Sequence, residues 1–249
     1  MTSNFIHSRA EREKIKEAKE EKILSFLLDE NFSTSKMISK LLGVTQTTAY
    51  RTLKKMEKKN LVKMENVSVG FDDVGGKIVI WGLTLTGAFL ATDVNADVFK
   101  PSNYEITRVK SRNISHSLDI QRVRLVAIQK GWTNWQSSRQ VYKEASQDRA
   151  KWLQIPDAVG TSPNNQTIAF EIERTFKGLD RYETILINYA KMILNKVIVG
   201  VIYICGLKMA SRLKRIFSEI KDIQVDGVEI EGVLKRFAFY EYDEWGDVS

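Results

Sequence analysis

Ile155-Pro156-Asp157-Ala158-Val159 and, after a polar loop, Ile168-Ala169-Phe170-Glu171-Ile172-Glu173-Arg174 decide how the second half of this chain reads. The intervening Gly160 to Gln166 carries turn chemistry throughout, with Gly160, Ser162, Pro163, Asn164 and Asn165. The second piece alternates like a strand. Strand residues point to opposite faces in turn, so Ile168, Phe170 and Ile172 share one face and Ala169, Glu171 and Glu173 the other. At about 3.3 Å per residue the two glutamates stand roughly 7 Å apart. Asp157 falls on the neighbouring strand of the expected hairpin, within reach of the same space.

Three carboxylates on one sheet face repel one another unless a cation lies among them, and oxygen donors select a hard ion, Mg²⁺ or Mn²⁺. Such an ion polarises a phosphodiester and activates a nucleophile at neutral pH. Asp157, Glu171 and Glu173 are therefore the candidate catalytic and metal-binding residues. The competing reading is a hairpin whose solvent face is merely acidic.

Pro156-Asp157 followed by Glu171-x-Glu173 on the next strand resembles the PD-(D/E)XK nucleases, with Glu173 where most of that group carries Lys. The Glu-x-Glu form behind an N-terminal winged helix resembles the MOBC class of plasmid relaxases, the MobC-like mobilisation proteins. That resemblance implies a metal-dependent, site-specific nicking enzyme that cuts one strand at a plasmid transfer origin to start conjugative mobilisation. It also implies DNA, an accessory mobilisation protein and a coupling ATPase as partners. Lys177, four residues past Glu173, is placed to supply the cation that the motif Lys would have given, or is ordinary surface charge.

Upstream, the pattern predicts a winged helix-turn-helix. Arg9 to Lys22 is charged in both signs and leads into Ile23 to Leu28 at helical spacing. Ser33-Thr34-Ser35 offers a cap for a second helix, and Gly43-Val44 makes the turn. Thr45 caps a third helix to about Asn60, with Ala49, Leu53 and Met56 inward. Leu61 to Met64 and Lys77 to Leu83 read as the two strands of a wing around the loop Gly70 to Gly76, and Thr84 to Thr92 as a closing helix. Arg51, Lys54, Lys55, Lys58, Lys59 and Lys63 oppose Glu57 alone. The third helix is thus expected in the major groove, with Gln46, Thr47, Thr48 and Arg51 toward base edges and Lys54 and Lys55 on phosphate. The acidic tip, Asp72 and Asp73, argues against that tip lying on phosphate. A protein-interaction module with a solvated basic face is the alternative.

The expected organisation is a winged-helix domain over residues 1–97, a linker over 98–112 and an α/β (α+β) PD-(D/E)XK-like domain with a mixed sheet over 113–249. In the last, a helix opens at Ser115-His116, with His116 a supporting candidate or a packing residue. A strand follows within Trp132 to Glu144, then the acidic hairpin, then a helix from Leu179 to Asn195. Lys196 to Cys205 reads as a buried strand, Leu207 to Ile220 as a basic amphipathic helix, and Gln224 to Tyr242 as a strand pair around Asp226-Gly227. Trp132, Trp135 and Trp152 are open to stacking on bases or to core packing.

Composition bounds the rest. A chain of 249 residues with 43% hydrophobic and 28% charged content is an ordinary globular one, and a net charge of +7 suits a polyanionic partner. Two histidines exclude chemistry that holds its metal on a histidine cluster, and the single Cys205 excludes a disulfide or zinc framework. The longest apolar run, Val197 to Leu207, is too short to span a bilayer, and no signal-peptide core opens the chain, so the cytoplasm is the expected compartment without membrane insertion. A non-catalytic winged-helix regulator of plasmid replication or transcription, with a degenerate nuclease-like domain, is the other reading. A restriction endonuclease cutting both strands as a dimer is a third.

Overall fold

The computed structural model describes residues 8–68, 76–92, 106, 109, 111–148, 150–220, 224–225 and 228–246. The chain forms two compact units, Met1–Leu118 and Asp119–Ser249.

In the first unit, helix α1 (Arg9–Glu30) starts on a capping box in which Ser8 and Glu11 satisfy each other's backbone amides at 3.1 Å. Its second half buries Ile23, Leu24, Phe26 and Leu27. After strand β1 (Phe32–Ser33) comes helix α2 (Ser35–Leu42), where the Thr34 hydroxyl accepts from the Met37 amide at 3.2 Å. Gly43 ends it at φ 62°, the left-handed region that lacks a side-chain penalty only for glycine. Helix α3 (Gln46–Lys58) follows at once, capped by Thr45, and buries Ala49, Leu53 and Met56 as its spacing predicts. Strands β2 (Val62–Ser68) and β3 (Lys77–Leu83) pair antiparallel from Val62 opposite Leu83 to Ser68 opposite Lys77, and β1 closes the other edge of β3. Helix α4 (Leu85–Ala91) follows, capped by Thr84. The loop 69–75, with Asp72 and Asp73, and the expected linker 98–112, apart from residues 106, 109, 111 and 112, lie outside the described residues.

The second unit is a five-stranded mixed sheet between helices. Helix α5 (Ser111–Gln129) begins before the expected Ser115 and carries the division between units within it. Strand β4 (Thr133–Ser137) passes directly into helix α6 (Ser138–Gln147), so Gln140 to Glu144 are helical rather than extended. The Gln140 carboxamide reaching back to the Ser137 amide at 2.7 Å explains the helix start. Strands β5 (Ala158–Thr161) and β6 (Thr167–Glu173) form the predicted antiparallel hairpin. Helix α7 (Leu179–Leu194) crosses to β7 (Gly200–Cys205), which runs parallel to β6. Helix α8 (Met209–Glu219), the short pair β8 (Gln224–Val225) and β9 (Val228–Glu229), and helix α9 (Ile230–Leu234) lead to β10 (Phe237–Glu241) and helix α10 (Tyr242–Trp245).

The sheet order is β10-β7-β6-β5-β4. The tail holds the expected small strand pair, but its longer strand, β10, lies parallel to β7 instead. Asp226 and Gly227 lie outside the described residues. One sheet face packs Val159, Ala169, Val201, Tyr203 and Phe237 with Tyr182, Leu186 and Tyr189 of α7 and Leu213 and Phe217 of α8. On the other face the Phe170 ring lies 5.0 Å from Trp132, 4.9 Å from Trp135 and 5.7 Å from Trp245. Trp152 is buried and its indole N–H donates to Glu144 at 3.2 Å. All three tryptophans proposed for base stacking are therefore packed against the protein itself. Among the described residues no helix is long and apolar enough to cross a membrane.

Gly87 in α4 sets how closely that helix approaches the chain entering β2. A Cβ there would stand 1.8 Å from the Leu61 carbonyl oxygen, so the backbone must move apart. Gly87→Ala is expected to destabilise the first unit by about 2 kcal/mol or more, read as a lower urea midpoint.

Candidate functional site

Strand register sets Asp157 against Glu171 and puts Glu173 on the same strand face as Glu171. Ala158 pairs with Phe170, so the next position back, Asp157, stands across from Glu171. Glu171 and Glu173 lie on the face of Ala169, opposite Tyr203 and Cys205 of β7, at the carboxyl end of β6. Both glutamates are buried, at 6% and 5% exposure, and Asp157 is half-buried. Asp157 is fixed twice. Its Oδ2 accepts the Ile172 amide at 2.8 Å, and its carbonyl accepts the Ser138 amide at the start of α6 at 3.0 Å.

Each buried glutamate has a partner. The Tyr189 hydroxyl of α7 donates to Glu171 Oε1, and the Lys177 ammonium pairs with Glu173 Oε2. Lys177 is itself held by its backbone N–H donating to the Tyr182 hydroxyl at 3.1 Å. Burial, and then the neighbouring Asp157 charge, push the Glu171 carboxyl up to about 8. Tyr189 and Tyr203 are also driven well above the ordinary phenol range by burial first and by Glu171 second, so both stay protonated donors. Tyr182 and Cys205 are each pushed up to about 12 by burial. The Tyr203 hydroxyl is buried and has no hydrogen-bond partner among the described residues. Repulsion among the acids is thus relieved by a proton on Glu171 and a lysine on Glu173. Among the described residues no group of three or more His, Cys, Asp or Glu is gathered closely enough to hold a metal ion.

Tyr189 and Tyr203 were legible only as members of apolar stripes. The available signal was that a buried phenol needs a partner for its hydroxyl, and an acid-bearing strand supplies one. His116 lies inside α5 rather than at a helix start and belongs to the first unit.

On α3, Gln46, Thr47, Thr48, Arg51 and Lys55 are exposed, as a groove-reading face requires. Gln46 Nε2 donates to Ser35 at 3.3 Å, and the Thr48 hydroxyl meets that of Thr45 at 2.9 Å, so both also tie the helix start. Lys54 is less available than expected. It pairs with Glu57 at 2.8 Å and lies 5.5 Å above the buried Trp81 ring. Lys59 is likewise paired with Glu20 at 2.6 Å. Tyr50, absent from the sequence-based set, is 41% exposed on the same helix, edge-on to Trp81 at 5.9 Å.

A family model described as replication-relaxation matches residues 24–197, a span that holds α2, α3, β2, β3 and all four of Asp157, Glu171, Glu173 and Lys177. Among solved structures, that of Lactococcus lactis ZitR, a double mutant in apo form, is similar at 24% identity and a TM-score of 0.25. That match covers 33% of this chain and 58% of ZitR, so the chain spans little more than half the length of that structure. No curated protein matches.

Two measurements check the site. In the unfolded chain Glu171 ionises from about 4.5, but in the fold it holds its proton to about 8. The folded state binds the extra proton, so stability falls as pH rises through that window. Urea midpoints are expected to drop between about pH 5 and about pH 8, and Glu171→Gln to flatten the decline. For the helix, Arg51→Ala is expected to weaken duplex binding and reduce the salt slope by about one, read by fluorescence anisotropy across a salt series.

Proposed function

The chain belongs to the replication-relaxation family, and from that premise we propose that it is a metal-dependent, site-specific DNA-nicking relaxase. It opens one strand at a plasmid transfer origin to begin conjugative mobilisation. The carrying observation is the placement of Asp157 beside Glu171, with Glu173 one step further on the same strand face. The order helix, three strands, helix, strand, with β6 and β7 parallel, supports a PD-(D/E)XK reading of the second unit, with α6 inserted between the first two strands. The acid pattern behind a winged helix supports the MOBC class.

The donor chemistry suits a hard divalent ion. Tyr189 takes Oε1 of Glu171, while Glu173 is engaged by Lys177 and by the Tyr182 hydroxyl, so Glu171 beside Asp157 is the glutamate better placed to hold an ion. Mg²⁺ or Mn²⁺ bound there would supply Lewis-acid polarisation of the scissile phosphate. Asp157 and Glu171 are assigned as its ligands, and Tyr189 keeps Glu171 turned toward it. Glu173 is a third ligand or orients the attacking group, and Lys177 offsets charge gathering on the phosphate. The winged helix selects the duplex through Gln46, Thr47, Thr48 and Arg51, with Lys55 on the backbone. A coupling ATPase and an accessory mobilisation protein would take over the opened strand.

One observation favours the second reading, a non-catalytic DNA-binding regulator of plasmid replication or transcription. Glu171 and Glu173 are already satisfied by Tyr189 and Lys177, an arrangement stable without an ion.

Supercoiled plasmid carrying the cognate origin, incubated with protein and Mg²⁺ or Mn²⁺, separates the two. Open-circular product is expected from wild type and background levels from Glu171→Ala, with duplex binding retained by both. Tyr189→Phe is expected to lower the rate about tenfold to a hundredfold. Nicking that persists in Glu171→Ala, or without a divalent ion, removes the proposal, and linear product marks a restriction endonuclease instead.

A further inference from the structure

Parallel strands β6 and β7 end on the same side of the sheet, so the loop from Arg174 to Gly178 and the loop from Gly206 to Lys208 are neighbours beside Glu173. Across them the Arg212 guanidinium lies over the Phe176 ring, 4.0 Å from its centroid. Arg212 is exposed, and no acidic partner is found for it among the described residues. Leu207 is 77% exposed and Leu179 54% exposed, at the bases of the same loops. Glu241, at the end of β10, accepts the Lys208 amide at 2.6 Å.

We propose that these two loops form a seat for an unpaired DNA strand, in which a base stacks on the Arg212–Phe176 pair and the backbone phosphate meets Lys208. The proposal rests on the nuclease reading of the adjacent carboxylates and names the form of DNA that reaches them. The chemistry of the surface favours a single strand over a duplex. A duplex presents phosphates outward and hides the faces of its bases, so a duplex-binding surface needs cations alone. Here the cation lies over a ring whose other side packs on the core, and exposed apolar side chains lie in or next to the same two loops. Guanidinium planes and aromatic rings are the surfaces on which unpaired bases stack. Leu207 and Leu179 add exposed apolar surface at the same two loops, and the exposed Lys208 adds charge. A strand seated there passes the half-buried Lys177, which pairs with the buried Glu173.

The test uses the full chain in EDTA, where no cleavage occurs, with a labelled oligothymidylate and a labelled duplex of unrelated sequence as the probes in fluorescence anisotropy. Arg212→Lys keeps the charge and removes the plane, and Phe176→Leu keeps the bulk and removes the ring. Each is expected to weaken single-strand binding about fivefold to tenfold, as loss of one stacked base does, with duplex binding unchanged. Equal losses for the two probes, or no loss for either, would overturn the seat and leave a plain charged surface. Wild-type protein that holds the oligothymidylate yet does not nick plasmid would overturn the nuclease reading and leave the seat standing.

Discussion

Carboxylates taken out of water on a strand face must be neutralised, and in the second unit everything around β6 follows from that demand. Glu171 and Glu173 lie under α7, where an uncompensated charge is costly. The fold answers with a phenol from α7, a lysine from the β6–α7 loop and a proton retained on Glu171. Removing either partner alone would leave a buried charge or acceptor unsatisfied. Apolar residues could fill the same space without the desolvation cost of two acids. Under the proposed function, a cation reaching the site offsets that cost.

The same acids show how a fold positions a cluster with few specified residues. Asp157 contributes through register, one step beyond the pairing of Ala158 with Phe170, and accepts the backbone amides of Ile172 and Ser138. The parallel pairing of β6 with β7 then brings Tyr203, Cys205 and the β7–α8 loop to the same edge. Open α/β sheets place their ligands at the carboxyl ends of parallel strands, and the acids, Lys177 and the Arg212–Phe176 pair all gather there. The first unit follows a different logic. Threonine caps at Thr34, Thr45 and Thr84 set three successive helix starts, and the left-handed Gly43 fixes the turn that presents α3.

Local signals were the legible ones. The alternation of Ile168 to Glu173, the caps and the buried stripe of α3 each depend on residues close in sequence, and each appears in the structure as read. What escaped depends on distant partners. Val141 and Tyr142 suggest a strand on propensity, but the Ser137–Gln140 capping box commits the segment to a helix. Strand β10 finds a parallel partner far from it in the chain, which no short pattern encodes. Lys54 looked like a phosphate contact until Glu57 and the Trp81 ring claimed it. Tyr189 counted as hydrocarbon in a helical stripe, although its hydroxyl is the part that matters to Glu171.

The central proposal is that Asp157 and Glu171 hold a divalent cation, with a proton on Glu171 in its absence. Electron paramagnetic resonance of Mn²⁺ tests it most directly, because the sharp signal of the free ion fades as protein is added only if the ion is bound. Loss of that signal with wild type, and its survival with Asp157→Asn and with Glu171→Gln, is the predicted result. An undiminished signal with wild type, or equal loss with both variants, would contradict the account.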